Sequence, residues 1–292
     1  MTKWTDSDIV DQHGRTFVVT GANSGLGEEA ARALGKAGAH VVLACRNIDK
    51  GEAVARSIGD NAEVRRLDLS DLKSVREFAA GIDSVDVLVN NAGVMAVPQG
   101  KTADGFEMQI GTNHLGHFAL TGLLLGKITD RVATMSSFAH QIGSIDLDDL
   151  NWEARKYNRW TAYGQSKLAN LLFTYELQKR LSAAGSSVKA LAAHPGYAST
   201  NLQGHTESIQ DKVMGVGNVI FAQSAKMGTL PMLYAATVPD VKGGSYIGPG
   251  GLFEQRGYPK VVGSNKKSRD EQTAAALWSL SEDLTGVEYK FA

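Results

Sequence analysis

Short apolar runs alternate along this chain with stretches of helical period. Phe17-Val18-Val19, Val41-Val42-Leu43, Val85 to Val89, Val132 to Met135 and Val188 to Ala193 are too short for helices. Their branched, nearly continuous apolar character predicts strands buried on both faces. Between them, apolar spacing near 3.6 predicts helices over about Gly25–Ala37, Ile48–Ile58, Asp71–Ala80 (capped by Ser70), Asp104–Lys127, Ala162–Ala183 and Ala225–Ala236. Further strands are expected at Ala62–Leu67 and Gly244–Ile247. Residues 1–14 read as a polar lead-in, with Asp6 or Ser7 capping a short turn. The tail after 250 reads as irregular until a helix near Asp270–Leu280.

Repeated strand-then-helix units of this kind build one doubly wound α/β domain. Its sheet is mostly parallel and seven-stranded, with helices on both faces because crossovers are right-handed. Ligands of such sheets bind beyond the carboxyl ends of the strands. Thr20, Cys45-Arg46, Asp68-Leu69, Asn90 to Gly93, Ser136-Ser137 and Pro195-Gly196 each follow a predicted strand, so the unusual residues collect at that edge.

The first of them, Thr20-Gly21-Ala22-Asn23-Ser24-Gly25-Leu26-Gly27, joins a strand to a helix start. Backbone N–H groups and the positive helix end there suit a pyrophosphate. A dinucleotide fold that prefers NAD usually carries a carboxylate about 20 residues further on. Here the second strand ends in Cys45-Arg46-Asn47, and Arg46 offers forked donors to a 2′-phosphate, which predicts NADP(H). Cys45 itself reads as a small buried filler. Tyr163-Gly164-Gln165-Ser166-Lys167 puts a phenol and an ammonium on one helix face. At about 4 Å and an effective dielectric near 20, their attraction of about 4 kcal/mol favours the phenolate.

The TGxxxGxG loop, Asn90-Asn91-Ala92-Gly93 and Tyr163-x-x-x-Lys167 together resemble the short-chain dehydrogenase/reductase family. Ala44-Cys45-Arg46-Asn47, Thr112 to Phe118 and Ser166 to Asn170 are most similar to its retinol-dehydrogenase and protochlorophyllide-reductase-like branch. The resemblance covers about residues 14 to 250 and implies a Rossmann-type fold and a catalytic tetrad of Asn113, Ser137, Tyr163 and Lys167. Of the paired serines it places the catalytic role on the second. It further implies that Asn23, Ser24 and Leu26 line the phosphate loop with Gly21, Gly25 and Gly27. Arg46 and Asn47 would flank the 2′-phosphate, and Asp68 and Leu69 would hold the adenine. Asn91, Ala92 and Gly93 would line the ribose side, and Pro195, Gly196 and Thr200 the nicotinamide carboxamide. No metal is expected; the acidic cluster Asp146 to Asp149 lacks the spacing of a calcium loop and reads as a solvated face.

The remaining features bound the setting. The formal net charge is −1, giving no electrostatic reason for nucleic acid as a partner. One cysteine suits a reducing compartment, and the N-terminus lacks the apolar anchor of membrane-bound branch members, so a cytoplasmic protein is expected. From Ser137 to Tyr163 is about twice the family's usual separation. Residues 138–162 and 198–224 read as substrate-side insertions, and 250–292 as a C-terminal extension. Trp152, Tyr157 and Trp160, with Val213, Val216, Val219, Ile220 and Phe221, are candidates for an apolar lid or for packed turns. The helices over 104–127 and 162–183 carry more apolar positions than one sheet face consumes, and the resemblance implies pairing as a homodimer or homotetramer. The expected activity is NADP(H)-dependent interconversion of a carbonyl and an alcohol. Its rivals are an NAD-dependent dehydrogenase of the same fold and a nucleotide-bound sensor without turnover.

Overall fold

In the computed structural model, residues 3–196 and 224–291 are described. Thr200 and the apolar positions at 213–221 lie outside them. Eight strands form one sheet: β1 Thr16–Thr20, β2 His40–Cys45, β3 Ala62–Arg66, β4 Val85–Asn90, β5 Ile128–Met135, β6 Lys189–Ala193, β7 Tyr246–Pro249 and β8 Pro259–Val262. Their order is β3-β2-β1-β4-β5-β6-β7-β8. Every pairing is parallel except β7 with β8. The order reverses between β1 and β4, which opens a crevice at their carboxyl ends.

Alternation along the strands divides the core. Phe17 and Val19 of β1 pack with Leu34, Val89 and Leu233 on one face of the sheet, and Val18 packs with Leu88, Leu120 and Phe173 on the other. Each such side chain contributes about 1.5–3 kcal/mol when fully buried. The first face is covered by α1 (Gly25–Lys36), α2 (Ile48–Ile58) and α6 (Ala225–Thr237). The second is covered by α3 (Leu72–Ala80), by α4 (Met108–Ile110, a π-turn Gly111–Leu115, then Gly116–Leu124), and by α5 (Arg159–Ala183).

Four expectations need correction. The sheet has eight strands instead of seven, because Pro259–Val262 pairs antiparallel with β7 inside the tail read as irregular. Four residues opening on proline carry no readable period, and an edge position tolerates proline. The helix expected from Asp104 starts at Met108, since Gly105 sits at φ +87° and the Glu107 carboxylate caps the first turn by accepting from the Gln109 and Ile110 N–H groups. Asp71, not Ser70, caps α3 by accepting from the Lys73 and Ser74 N–H groups, while the Ser70 hydroxyl donates to Asp68. Thr5, not Asp6 or Ser7, caps the N-terminal turn.

The surplus apolar face of α4 and α5 is also covered in part. Helix α7 (Glu271–Thr285) lays Ala274 and Leu277 against Ile110, Leu168 and Leu172. Trp278 and Tyr289 enter the core beside Phe118 and Phe173, and Tyr289 Oη donates to the Phe118 carbonyl at 2.6 Å. The chain's own C-terminal segment thus covers part of the apolar surplus on α4 and α5.

Candidate active site

The glycine loop leaves β1 with Gly21 and Gly25 at φ +68° and +57°, a left-handed backbone that side chains resist. Gly27 lies so close to the strand end that a Cβ would run into the Gly21 carbonyl and stand 2.6 Å from Asn91 Nδ2. Ser24 at the N-cap of α1 makes no side-chain capping bond, whereas Asn47, Asp71, Asn158, Ser224 and Asp270 each cap their helices. The first turn of α1 therefore presents backbone donors outward, and the residues fit a dinucleotide pyrophosphate. Thr20 knits this loop to the segment after β4. Its hydroxyl accepts from the N–H groups of Asn91 and Ala92 at 2.9 Å each, and Asn91 Nδ2 donates to its carbonyl at 2.9 Å.

At the other strand ends the expected residues occupy the same edge. Arg46 and Asn47 follow β2, exposed, and Asn47 caps α2. Asp68 follows β3, half-buried, with Oδ1 accepting from the Ser70 N–H and hydroxyl at 3.0 and 2.6 Å. Leu69 beside it is buried. Pro195 and Gly196 follow β6, and the Gly196 N–H reaches His194 Nδ1 at 3.3 Å.

Asn113 and Lys167 meet at the segment between β4 and α4, and Tyr163 lies beside Lys167. Asn113 lies in the π-turn, where its amide donates to the Val94 carbonyl and Ser166 Oγ at 2.9 Å each and accepts from the Val94 N–H at 2.8 Å. Gly93 fills the space between Asn113 and Lys167: a Cβ there would stand 2.9 Å from Asn113 Oδ1 and 3.5 Å from Lys167 Nζ. Lys167 Nζ donates to the Met135 carbonyl at 3.2 Å and lies 5.6 Å from the Tyr163 ring centroid. The two serines separate by role. Ser136 Oγ donates to the Lys167 carbonyl at 2.8 Å, whereas the Ser137 hydroxyl accepts from the Ala139 N–H at 3.2 Å and lies on the Tyr163 side, where it acts to lower the phenol.

Electrostatics reverse one expectation. Burial pushes the Tyr163 phenol up to about 12, with the Ser137 hydrogen bond opposing it, instead of the lowering expected from Lys167. Burial also pushes the Lys167 ammonium down to about 8. Both groups lose hydration, and Nζ sits over the ring and toward Met135, so desolvation outweighs attraction. Cys45 is pushed up to about 11 by burial and suits the filler reading. His194, buried and pushed down to about 3 by burial, packs its ring on Tyr246 and joins no reacting group.

The long insertion is anchored. Trp152 is buried under the Arg155 guanidinium, 3.9 Å from its ring centroid. The Tyr157 hydroxyl contacts the Val97 carbonyl and Glu107 at 3.1 Å and accepts from Gln109 Nε2 at 2.8 Å. Trp152 and Tyr157 therefore brace the start of α4. Asp146 and Asp149 pair with Arg155 at 3.5 and 3.3 Å. The sequence reading missed Thr20, His117 and Glu107 as organisers of the site. Only the helix-start pattern of Glu107 before Met108 hints at one of them.

Comparison with known proteins gives the chain its relatives. The family model for short chain dehydrogenases matches residues 15–211. Human retinol dehydrogenase 13 is 43% identical over 294 residues, covering 94% of this chain and 86% of the relative. Human retinol dehydrogenase 11 is 42% identical, covering 96% and 89%. Among solved structures, an uncharacterized protein from Mycobacterium Paratuberculosis is 53% identical with a TM-score of 0.87, covering 99% of this chain and 100% of that one. A chain described as an NAD(P)-dependent gluconate 5-dehydrogenase from Beutenbergia cavernae, with NADP bound at low occupancy, is 27% identical with a TM-score of 0.59, covering 78% and 91%. No helix among the described residues is long and apolar enough to cross a membrane.

Proposed function

The chain belongs to the short-chain dehydrogenase family and is an oxidoreductase acting on CH–OH groups with NAD(P), and from that premise we propose that it interconverts a carbonyl and an alcohol with NADP(H), using Tyr163 as acid and base. The observation that carries this reading is the run of neighbours from Ser137 to Tyr163 to Lys167 and, across Gly93, to Asn113. When bound, the dinucleotide supplies or accepts the hydride. Ser137 holds the substrate oxygen, and Tyr163 Oη gives that oxygen its proton. A phenol raised to about 12 keeps its proton at rest, which suits carbonyl reduction. Lys167 keeps a positive charge beside the phenolate as it forms, and Asn113, pinned to Val94 and Ser166, braces the lysine pocket. Arg46, with no carboxylate beside it at the tip of β2, supports the phosphorylated cofactor.

An apolar substrate is supported by the names of the relatives and by the surface at the same edge. Phe138 and Ile142, just after β5, and Leu252 and Phe253, just after β7, are exposed there. The test follows NADPH absorbance against retinoid, steroid, quinone and small-aldehyde panels, with NADH in parallel. Turnover of one class with NADPH is the expected result. Faster turnover with NADH refutes the cofactor assignment. NADPH binding with no turnover across the panels favours a nucleotide-bound sensor.

A further inference from the structure

His117 is buried in α4, four residues beyond Asn113, and the proton transfer from Tyr163 gives it no part. Its Nδ1 lies 3.0 Å from the Asn113 main-chain carbonyl oxygen, and its Nε2 lies 2.9 Å from Thr20 Oγ1. Two partners fix which ring nitrogen carries the proton: the Asn113 carbonyl can only accept, so Nδ1 must donate to it, and Thr20 requires the same from the other side of the ring. A hydroxyl has two lone pairs and one proton. Both lone pairs of Thr20 Oγ1 are engaged, by the N–H groups of Asn91 and Ala92. Toward His117 the hydroxyl can therefore only donate, so Nε2 is the acceptor and Nδ1 carries the hydrogen. Its other acceptor, the Val89 carbonyl, is more distant at 3.3 Å. Burial and the Lys167 charge, against the Asn113 hydrogen bond, push the imidazole down to about 4, so the ring is neutral at neutral pH.

The bond falls where the helix is weakest. Through the π-turn the ladder runs from the Gly116 N–H to the Gly111 carbonyl, an i to i+5 bond that widens the backbone around Asn113. Resting on the reductase reading, we propose that His117 is a positioning residue for proton transfer: Thr20 and the Asn113 carbonyl together set its tautomer, and its Nδ1–H clamps that carbonyl. The floor of the dinucleotide site and the Asn113–Lys167 pair over Gly93 are thereby tied into one rigid unit.

Two measurements test this on the full-length enzyme. Nitrogen-15 spectra of the histidines should show His117 as the neutral Nδ1–H tautomer, unchanged between about pH 6 and pH 9. In kinetics, His117→Leu removes both bonds, whereas His117→Asn restores an N–H donor near the Nδ1 position. His117→Leu should lower kcat roughly 10- to 100-fold, the size expected for losing a hydrogen bond that holds the reacting groups. NADPH affinity, read by fluorescence, should change by less than about 3-fold. His117→Asn should recover most of the kcat. An Nε2–H tautomer, a titration near the ordinary histidine value, an unchanged kcat in the leucine variant, or equal kcat losses in both variants overturns the proposal. If the leucine variant does not fold, the wild-type spectrum decides. A wild type that turns over nothing on the panels refutes the reductase reading, while the tautomer still decides the clamp.

Discussion

Replacing Arg46 with alanine probes the choice of dinucleotide through a single contact. Arg46 stands exposed directly after β2, and the register that sets Cys45 beside Arg66 brings a second exposed arginine to the neighbouring strand tip. Exposure limits the size of the effect. A desolvated charge pair couples by about 1.5–7 kcal/mol, but a surface ion pair contributes only about 0–1 kcal/mol. A charge-assisted hydrogen bond contributes about 1.5–3 kcal/mol. For a forked contact open to solvent on one side, about 1–3 kcal/mol is expected, a loss of roughly 5- to 150-fold in NADPH affinity. Fluorescence titration of NADPH and NADH at two ionic strengths checks it. NADH affinity should hold within about 2-fold, because NADH carries no 2′-phosphate. The NADPH penalty should shrink as the Debye length falls from about 10 Å at 0.1 M salt to about 3 Å at 1 M. Equal NADPH affinity in wild type and variant, or an equal loss for NADH, refutes the reasoning. If Arg66 shares the phosphate, the double variant will depart from additivity, with coupling on the order of 0.5–3 kcal/mol.

Tyr163→Phe should abolish turnover while NADPH binding persists, since the nucleotide pocket is built by other residues; retained turnover would mean another group moves the proton. Lys167 sits at about 8 through burial, so its charge is lost as pH rises through that value. kcat/KM for NADPH, which reports the free enzyme, should fall above about pH 8, and Lys167→Arg should move that limb to higher pH. For stability the sign is opposite: between about 8 and 10.5 the unfolded chain binds the extra proton, so the Lys167 contribution rises with pH over that window. Gly93→Ala sets a Cβ 2.9 Å from Asn113 Oδ1 and should cost kcat about 10-fold or more through misplacement, with little change in melting temperature. Trp278→Ala empties the space between Phe118, Phe173 and Tyr289 and should cost about 3–5 kcal/mol in urea unfolding. A cost below about 1 kcal/mol would show that α7 is only loosely seated.

How much of the molecule is readable in its sequence depends on how far apart the cooperating residues lie. Phe17 to Val19, Val41 to Leu43 and Val87 to Val89 betray buried parallel strands because the cause, burial on both faces, acts on consecutive residues. The strand ends are legible for the same reason, since the glycine loop and Asn90 to Gly93 interrupt those runs directly. Pro259–Val262 is not, because its identity comes from pairing with β7 and not from its own four residues. The apolar surplus on α4 and α5 is visible, but its partner is not. Nothing local to Trp278 or Tyr289 says that they fold back on Phe118 and Phe173.

The polar half of the site is harder still, and its errors share one cause. Reading Tyr163 and Lys167 from their spacing assumes that four residues of helix settle the electrostatics. The depth of the pocket also counts, and it raises the phenol and lowers the ammonium together. His117 is the same case at longer range. Its sequence neighbours make it a polar residue on an apolar helix, and the partner of its second nitrogen, Thr20, lies 97 positions away. Thr20 in turn is committed by Asn91 and Ala92, which follow a different strand. A chain of donated hydrogen bonds linking β4, β1 and α4 therefore leads to the Asn113 carbonyl. Such a chain has no period for a sequence to display, because each link is fixed by what the previous oxygen or nitrogen has already bonded.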